Sequence, residues 1–503
     1  MASAGGPRAA GGGGRGAPQW DMPSLPPSPA NAPDAGAAAT LARLWHDADG
    51  APDALDTVDL PGDGPVLPSS FAVATAAQAS LAAATLAAAE LWHGRHPQRA
   101  RQRVRVDRRA AALACAGHAL IDGVQPPQWD PLSGLYACGA DAGAPGHVRV
   151  HANFAHHRDG ALALLGLPPG PDTPREAVAA ALRGWTAPAF EEAAAARGLV
   201  VAAARRFDEW DAHPQAAALA AQPVVAFERL GEAPPRRRAP VDAATPPLAG
   251  LRVLEMTRIL AGPVAGRTLA AHGAEVLLVN GPHLPNIAAI ADTSRGKRSA
   301  HVDLRTAEGR ATLERLLAGA DVFLQGYRPG ALAARGFDAA GLARRHPGLV
   351  CVSLSAYGED GPWGGRRGFD SLVQTATGFN HAEAEAAGGG APRAMPVQIL
   401  DYAAGHLLAF GAAVALARQA QEGGSWLVRV SLAGVGRWLR GLGRVPGGLA
   451  AVAPDPAPWM ETTASGFGTL TAMRHAGELS LTPPGWTLPS MPPGSHPAEW
   501  LGE

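Results

Sequence analysis

Leu251-Arg252-Val253-Leu254-Glu255-Met256-Thr257-Arg258-Ile259-Leu260-Ala261-Gly262-Pro263 opens as a compact apolar run, breaks at Thr257 and restarts as a helix-forming stretch. The same change of period recurs downstream. Glu275–Val279, Asp321–Leu324 and Leu349–Leu354 are short apolar runs, and Gly262–Ala271, Ala307–Leu317 and Ala339–Arg345 are helical stretches between them. Short apolar runs alternating with helices predict a parallel sheet with crossover helices on both faces, the doubly wound α/β class. Ligands in that class sit off the carboxyl ends of the strands. Thr257–Gly262, Gln325–Gly330 and Ser355–Gly358 fall there.

Upstream, Pro234-Pro235-Arg236-Arg237-Arg238-Ala239-Pro240 and the residues to Pro247 are proline-rich, charged and aperiodic, the signature of a linker. It divides a first region, 39–233, from an α/β region, 248–441. The first region predicts a short helix from Thr40, a longer one from Ser69-Ser70 to about Trp92, a half-buried strand at Arg103–Asp107, and a small sheet from Leu135–Cys138 and His147–His151. His156 and His157 point in different directions on any regular element, so they are poor metal ligands as a pair and read as surface or capping residues. The Ala/Gly/Pro-rich residues 1–38 are expected to be disordered, and the Pro/Gly/Trp-rich residues 442–503 to wrap irregularly or meet a partner.

A chain of 503 residues exceeds one ordinary core, and 47% hydrophobic content supports a globular protein. A formal net charge of -1 gives no reason to expect nucleic acid or an anionic membrane as partner. Phe71–Ala89 and Tyr402–Ala417 are at or below the ~20 strongly apolar residues needed to span a bilayer, so they read as buried helices. Three cysteines without C-x-x-C spacing fit a reducing cytoplasm. No G-x-G-x-x-G follows the first strand, and neither a P-loop nor a G-x-S-x-G elbow occurs. Bare dinucleotide, P-loop and serine-hydrolase readings are disfavoured.

What remains is a set of polar groups on loops. Arg295-Gly296-Lys297-Arg298-Ser299, which holds the only lysine in the chain, suits phosphate, although a solvated basic loop reads equally well. Asp401 opens a long Ala/Leu-rich helix, where the helix dipole favours its ionised form; it reads either as a cap or as a nucleophile. Asp370, after a glycine and before an apolar helix, competes with it but is well explained as a cap. His381, Glu383 and Glu385 alternate along an Ala/Gly-rich stretch that reads as a flexible lid, and no metal site is expected.

Pro247–Arg258, Ala261-Gly262-Pro263, Arg295–Ser299, Gly326-Tyr327-Arg328-Pro329-Gly330, Ser353–Gly358, Gly361-Pro362 and Gly368-Phe369-Asp370 occur in this order. Together they resemble the family III CoA transferases, whose side branch includes α-methylacyl-CoA racemase. The resemblance covers roughly Pro247 to Arg440. It implies a doubly wound CoA-binding domain with a smaller α+β domain, and a transferase (EC 2.8.3 type) that moves CoA from an acyl-CoA to a free carboxylic acid through an aspartyl-CoA thioester. Asp401 maps onto the nucleophile. CoA contacts map onto Ile259, Leu260, Ala261, Lys297, Arg298, Arg328, Arg335 and Arg367. Coenzyme A is a cosubstrate, no cofactor is tightly bound, and a cytoplasmic homodimer is expected.

The chain departs from the family at several points. Phe369 stands where the racemase branch has a histidine, which lowers the reading as a 2-methylacyl-CoA racemase or epimerase. Asn280-Gly281-Pro282 lacks the usual basic residue, and Arg335 is offset by one; a non-catalytic acyl-CoA-binding paralogue therefore stays open. Material like the family's small domain and C-terminus precedes the α/β region, so the segments read as rearranged. Phe71–Asp107 echoes Leu400–Ser431, with no carboxylate among Val73–Ala77 to face Asp401.

Overall fold

The structure is a computed structural model that describes Met1 and residues 34–502. The disorder expected for 1–38 therefore falls mainly outside the described residues. Within them, a helix already begins at Ala37.

Seven strands form the main sheet: β1 (Ala226–Gly231), β2 (Arg252–Met256), β3 (Glu275–Asn280), β4 (Lys297–His301), β5 (Val322–Gln325), β6 (Val350–Ser355) and β7 (Ser425–Ser431). Their order across the sheet is β4-β3-β2-β5-β6-β7-β1. Every pair is parallel except β7 with the edge strand β1. Side chains alternate between two buried layers, as period two requires. Val253, Val322, Val352 and Val428 face one core, while Leu254, Phe323, Cys351 and Leu427 face the other. The doubly wound expectation holds. Strand order reverses between β2 and β5, so the crevice of this fold opens past Met256 and Gln325.

The proline-rich linker does not separate two cores. β1 precedes it in sequence yet hydrogen-bonds to β7, and one apolar cluster runs from Leu41 to Leu479. The linker itself is pinned: Arg238 pairs with Asp321 at 2.5 Å and donates to Gly250 O at 2.8 Å. Missing periodicity marks a segment without secondary structure, and here such a segment crosses a continuous core.

The first half adds helix α1 (Val73–Arg95), and the second adds α2 (Ala261–Ala271), α3 (Asp370–Ala376) and α4 (Ile399–Glu422). α4 is long and apolar enough to cross a membrane, but its apolar stretch is wholly buried in the protein between α1, α2 and the sheet. The sequence echo between α1 and α4 has a counterpart in space. Each helix is followed by a strand and a helix whose N-cap, Asp107 or Ser431, accepts from helix N–H groups. Ser80 and His406, each the eighth residue of its helix, meet at 3.2 Å. Thr75 holds the position in α1 that Asp401 holds in α4. Tertiary folding brings a carboxylate to Thr75 after all, since its hydroxyl donates to Asp34 Oδ2 at 2.6 Å. Asp34 is already engaged by Arg108 at 3.2 Å.

Elsewhere the structure revises local expectations. Ser69 and Ser70 do not cap α1; with the Ser70 N–H they bind the buried carboxylate of Glu383. The expected lid is the helix Phe379–Ala386, locked by that contact. The C-terminal region is a wrap. The hairpin Met460–Ser465 and Gly468–Met473 pairs with Ala119–Ile121. The chain then covers the edge of β4, with the His496 N–H donating to Ser299 O at 2.8 Å and Trp500 buried on Leu316.

Candidate active site

The crevice past β2 and β5 is a cleft of 430 Å³ whose walls carry Arg258, Arg305, Arg328, Arg335, Arg366 and Arg367. Six guanidiniums around one cleft make a strongly positive site suited to polyanions such as phosphates. A second cleft, of 510 Å³, lies beside it, lined mainly by apolar side chains and amides. The two share Ile259, Leu260, Phe369 and Asp401 as a common wall.

Each member of that wall has a local reason to be there. Ile259 adopts φ 77°, rare and strained for a β-branched residue. The kink turns the chain from β2 into α2. Gly405 lets α4 lie directly against α2: a Cβ there would sit 2.7 Å from Ala261 O. Asp401 is the third residue of α4, and the helix start is held by another carboxylate. The Asp401 N–H donates to Asp370 Oδ2 at 2.9 Å, while Gln374 Nε2 donates to Asp370 Oδ1 at 2.5 Å. Asp370 is thus a cap, as read from sequence, but for α4 and not for its own helix.

The electrostatics reverse the expectation that the helix start keeps Asp401 ionised. Burial away from water raises its pKa well above the usual carboxylate range, and the neighbouring Asp370 charge raises it further. Asp370 is pushed up to about 7 by burial, opposed by the N–H groups of Asp401 and Leu400, Gln374 and Arg149. With these donors, Asp370 is the better seat for a single shared charge.

Of the residues assigned from sequence, Ile259, Leu260, Ala261, Arg328, Arg335 and Arg367 join Asp401 around the first cleft. Lys297 and Arg298 do not. They lie in strand β4, where alternating backbone sends both side chains into buried layers instead of a loop. Lys297 is 1% exposed, pairs with Glu255 at 2.7 Å and donates to Pro263 O at 2.8 Å. Arg298 donates to Glu499 O at 2.6 Å, under the C-terminal wrap. A run of cations in sequence cannot show whether its neighbours will be solvent or carboxylates from other strands.

Sequence reasoning also missed groups that the first half delivers. The small sheet Gly134–Cys138, Gly146–Val150 and Val201–Ala203 presents one face to its own core and the other to α3. The His151 ring, just past its central strand, stacks on Phe369 at 4.1 Å. His157 lines the first cleft and is 5% exposed, so neither it nor His151 is a surface residue. Burial pushes both imidazoles down to about 3, which keeps them neutral near pH 7. His283 and Arg305 line the first cleft near Gly281, where the expected basic residue is missing. No local signal marks His151 or His157, because their approach to Phe369 spans some two hundred positions of chain.

Residues 248–442 match the model of CoA-transferase family III. A probable fatty acyl-CoA transferase of Mycobacterium tuberculosis is 35% identical over 197 residues, which is 36% of this chain and 50% of the relative. A succinate–glutarate CoA-transferase of Agrobacterium fabrum is 37% identical over 150 residues, covering 26% of this chain and 38% of the relative. The crystal structure of a CaiB/BaiF family protein from Brucella suis is 29% identical, with a TM-score of 0.35, over 45% of this chain and 65% of that one. The chain thus spans half or less of the length of these two curated relatives.

Proposed function

We propose that the chain, whose residues 248–442 match CoA-transferase family III, transfers coenzyme A from an acyl-CoA to a free carboxylic acid, with Asp401 as the covalent nucleophile. One observation carries the reading: Asp401 stands on the wall shared by an arginine-lined cleft and a largely apolar one. The first suits the phosphates of coenzyme A, the second the acyl chain and the acid. An Asp401 oxygen attacks the thioester carbonyl; the C–S bond breaks and the CoA thiolate leaves an acyl-aspartyl anhydride. The thiolate then attacks the Asp401 carbonyl, releasing the first acid and leaving an aspartyl-CoA thioester. The acceptor carboxylate opens that thioester to a new anhydride, and the thiolate attacks its acyl carbon. New acyl-CoA leaves and the Asp401 carboxylate is restored. Covalent steps of this kind conserve the thioester's free energy, which hydrolysis would lose.

Arg328, Arg335 and Arg367 hold CoA phosphates in this reading, and His283 with Arg305 supply the positive charge missing near Gly281. The decisive experiment adds acyl-CoA and hydroxylamine and maps the hydroxamate by peptide mass spectrometry. It is expected on Asp401; modification elsewhere, or none, would reject the mechanism. A homodimer belongs to the same proposal and is read by light scattering.

His151, which lines the second cleft together with Asp401, favours a second reading, α-proton exchange on a 2-methylacyl-CoA. That reaction would wash solvent deuterium into the acyl chain with no acceptor acid present, whereas the transferase needs the acceptor.

A further inference from the structure

The first cleft contains an imidazole that the transfer chemistry above does not use. His157 is the third residue of the helix Ala155–Leu164, which the small-sheet core anchors through Ala161 and Leu162. Its side chain is buried and lines the cleft together with Asp401. The ring meets Phe369, on the wall shared by both clefts, edge-on at 6.3 Å and lies 4.0 Å from the ring of the exposed His156. Nδ1 is buried without a hydrogen-bond partner, and among the described residues Nε2 has none either.

An uncharged imidazole carries one N–H donor and one lone pair, and a buried ring that pairs neither is costly. Nδ1 is shut off from solvent, so Nε2 is the nitrogen left to meet a ligand in the cleft. Burial, and then His156, Arg367, His151 and Arg258, all disfavour protonation, so the ring is neutral near pH 7. Such a ring adds little to phosphate binding in a cleft that already carries six guanidiniums. It faces instead the end of the cleft closed by Phe369 and Asp401, where a thioester would have to react.

We infer that His157 donates a hydrogen bond from Nε2 to the sulfur of coenzyme A as the C–S bond breaks, and holds the thiolate until it returns. The inference rests on the CoA-transfer reading for the presence of that sulfur. When Asp401 attacks the acyl carbon, the electron pair of the C–S bond passes to sulfur and no proton changes hands. The same pair then forms the new C–S bond to the Asp401 carbonyl. An ordinary thiol ionises at about 8.5 and an imidazolium at about 6.5. A charged histidine would therefore pass its proton to the thiolate and quench the nucleophile. An uncharged one stabilises the thiolate and leaves it free to attack.

The test is a pH titration of free coenzyme A bound to the protein, read by the ultraviolet absorbance of the thiolate, with the desulfo-coenzyme A complex as blank. His157→Phe keeps a ring in place and removes the donor. At a given pH its ratio of bound thiolate to thiol is expected to be roughly tenfold lower than in wild type, the scale of a hydrogen bond to a charged group. His157→Gln, whose amide N–H extends toward the position of Nε2, should recover part of that loss. Equal titrations in wild type and His157→Phe would overturn the inference, as would no recovery in His157→Gln. Should His157→Phe fail to fold, His157→Ala takes its place. Titration needs no turnover, so absence of CoA exchange in a parallel assay would count against the transferase reading alone, whereas a bound thiol indifferent to His157 would count against the present inference alone.

Discussion

The Asp401 N–H donates to Asp370 Oδ2 at 2.9 Å, so one carboxylate fixes the helical turn that presents the other. Both are buried, and their charges oppose each other. In the proposed mechanism Asp370 is therefore a positioning residue, and its charge raises the pKa of Asp401. Asp370→Asn keeps an acceptor for the helix N–H while removing the like charge, and so lowers the Asp401 pKa. The acid limb of kcat/KM should move to lower pH in this variant. An unchanged limb would show that the two carboxylates are not coupled.

The same pair makes stability depend on pH. Both pKa values are raised by burial above the unfolded value, so between that value and the folded one the native state binds more protons. Stability then falls as pH rises, from about the ordinary carboxylate value to about 7 for Asp370. Asp370→Asn should flatten this slope in urea titrations taken at successive pH values. A slope as steep as wild type would assign it to other groups.

Asp401→Ala should abolish CoA exchange by roughly 10⁴-fold or more, the scale seen when a covalent nucleophile is removed. The fold should survive, with a Tm equal to or above wild type, because a buried carboxylate with a raised pKa is costly to keep. Near-normal exchange would eliminate Asp401 as the nucleophile.

Lys297 separates a structural role from a binding one. Lys297→Met leaves Glu255 buried without its partner and should destabilise the protein by about 3–5 kcal/mol. Replacing both, with Lys297→Met and Glu255→Leu, should restore much of that loss. Acyl-CoA affinity of the folded double variant should match wild type; a large loss would return Lys297 to the binding site.

Arg328→Ala and Arg367→Ala should each weaken acyl-CoA binding by about tenfold, the scale of one charge-assisted hydrogen bond. The loss should shrink as salt is added, because screening weakens the wild-type contact. Calorimetry at two ionic strengths reads both effects. A loss independent of salt would point to packing.

The α/β alternation from Leu251 to Leu354 was legible because period and run length are properties of neighbouring residues, and β2, β3, β5 and β6 follow them within about a residue. Asp401 was legible for a related reason: it stands at the start of a helix marked by composition and by the order of short motifs around it. Tertiary packing alone decided the rest. It put Lys297 against Glu255 instead of solvent, made Asp370 the cap of a helix thirty residues away, and brought Arg149, His151 and His157 to the two clefts. Burial, counter-charge and the pKa values that follow depend on which surfaces meet. Those meetings join segments far apart in the chain, where no local period records them.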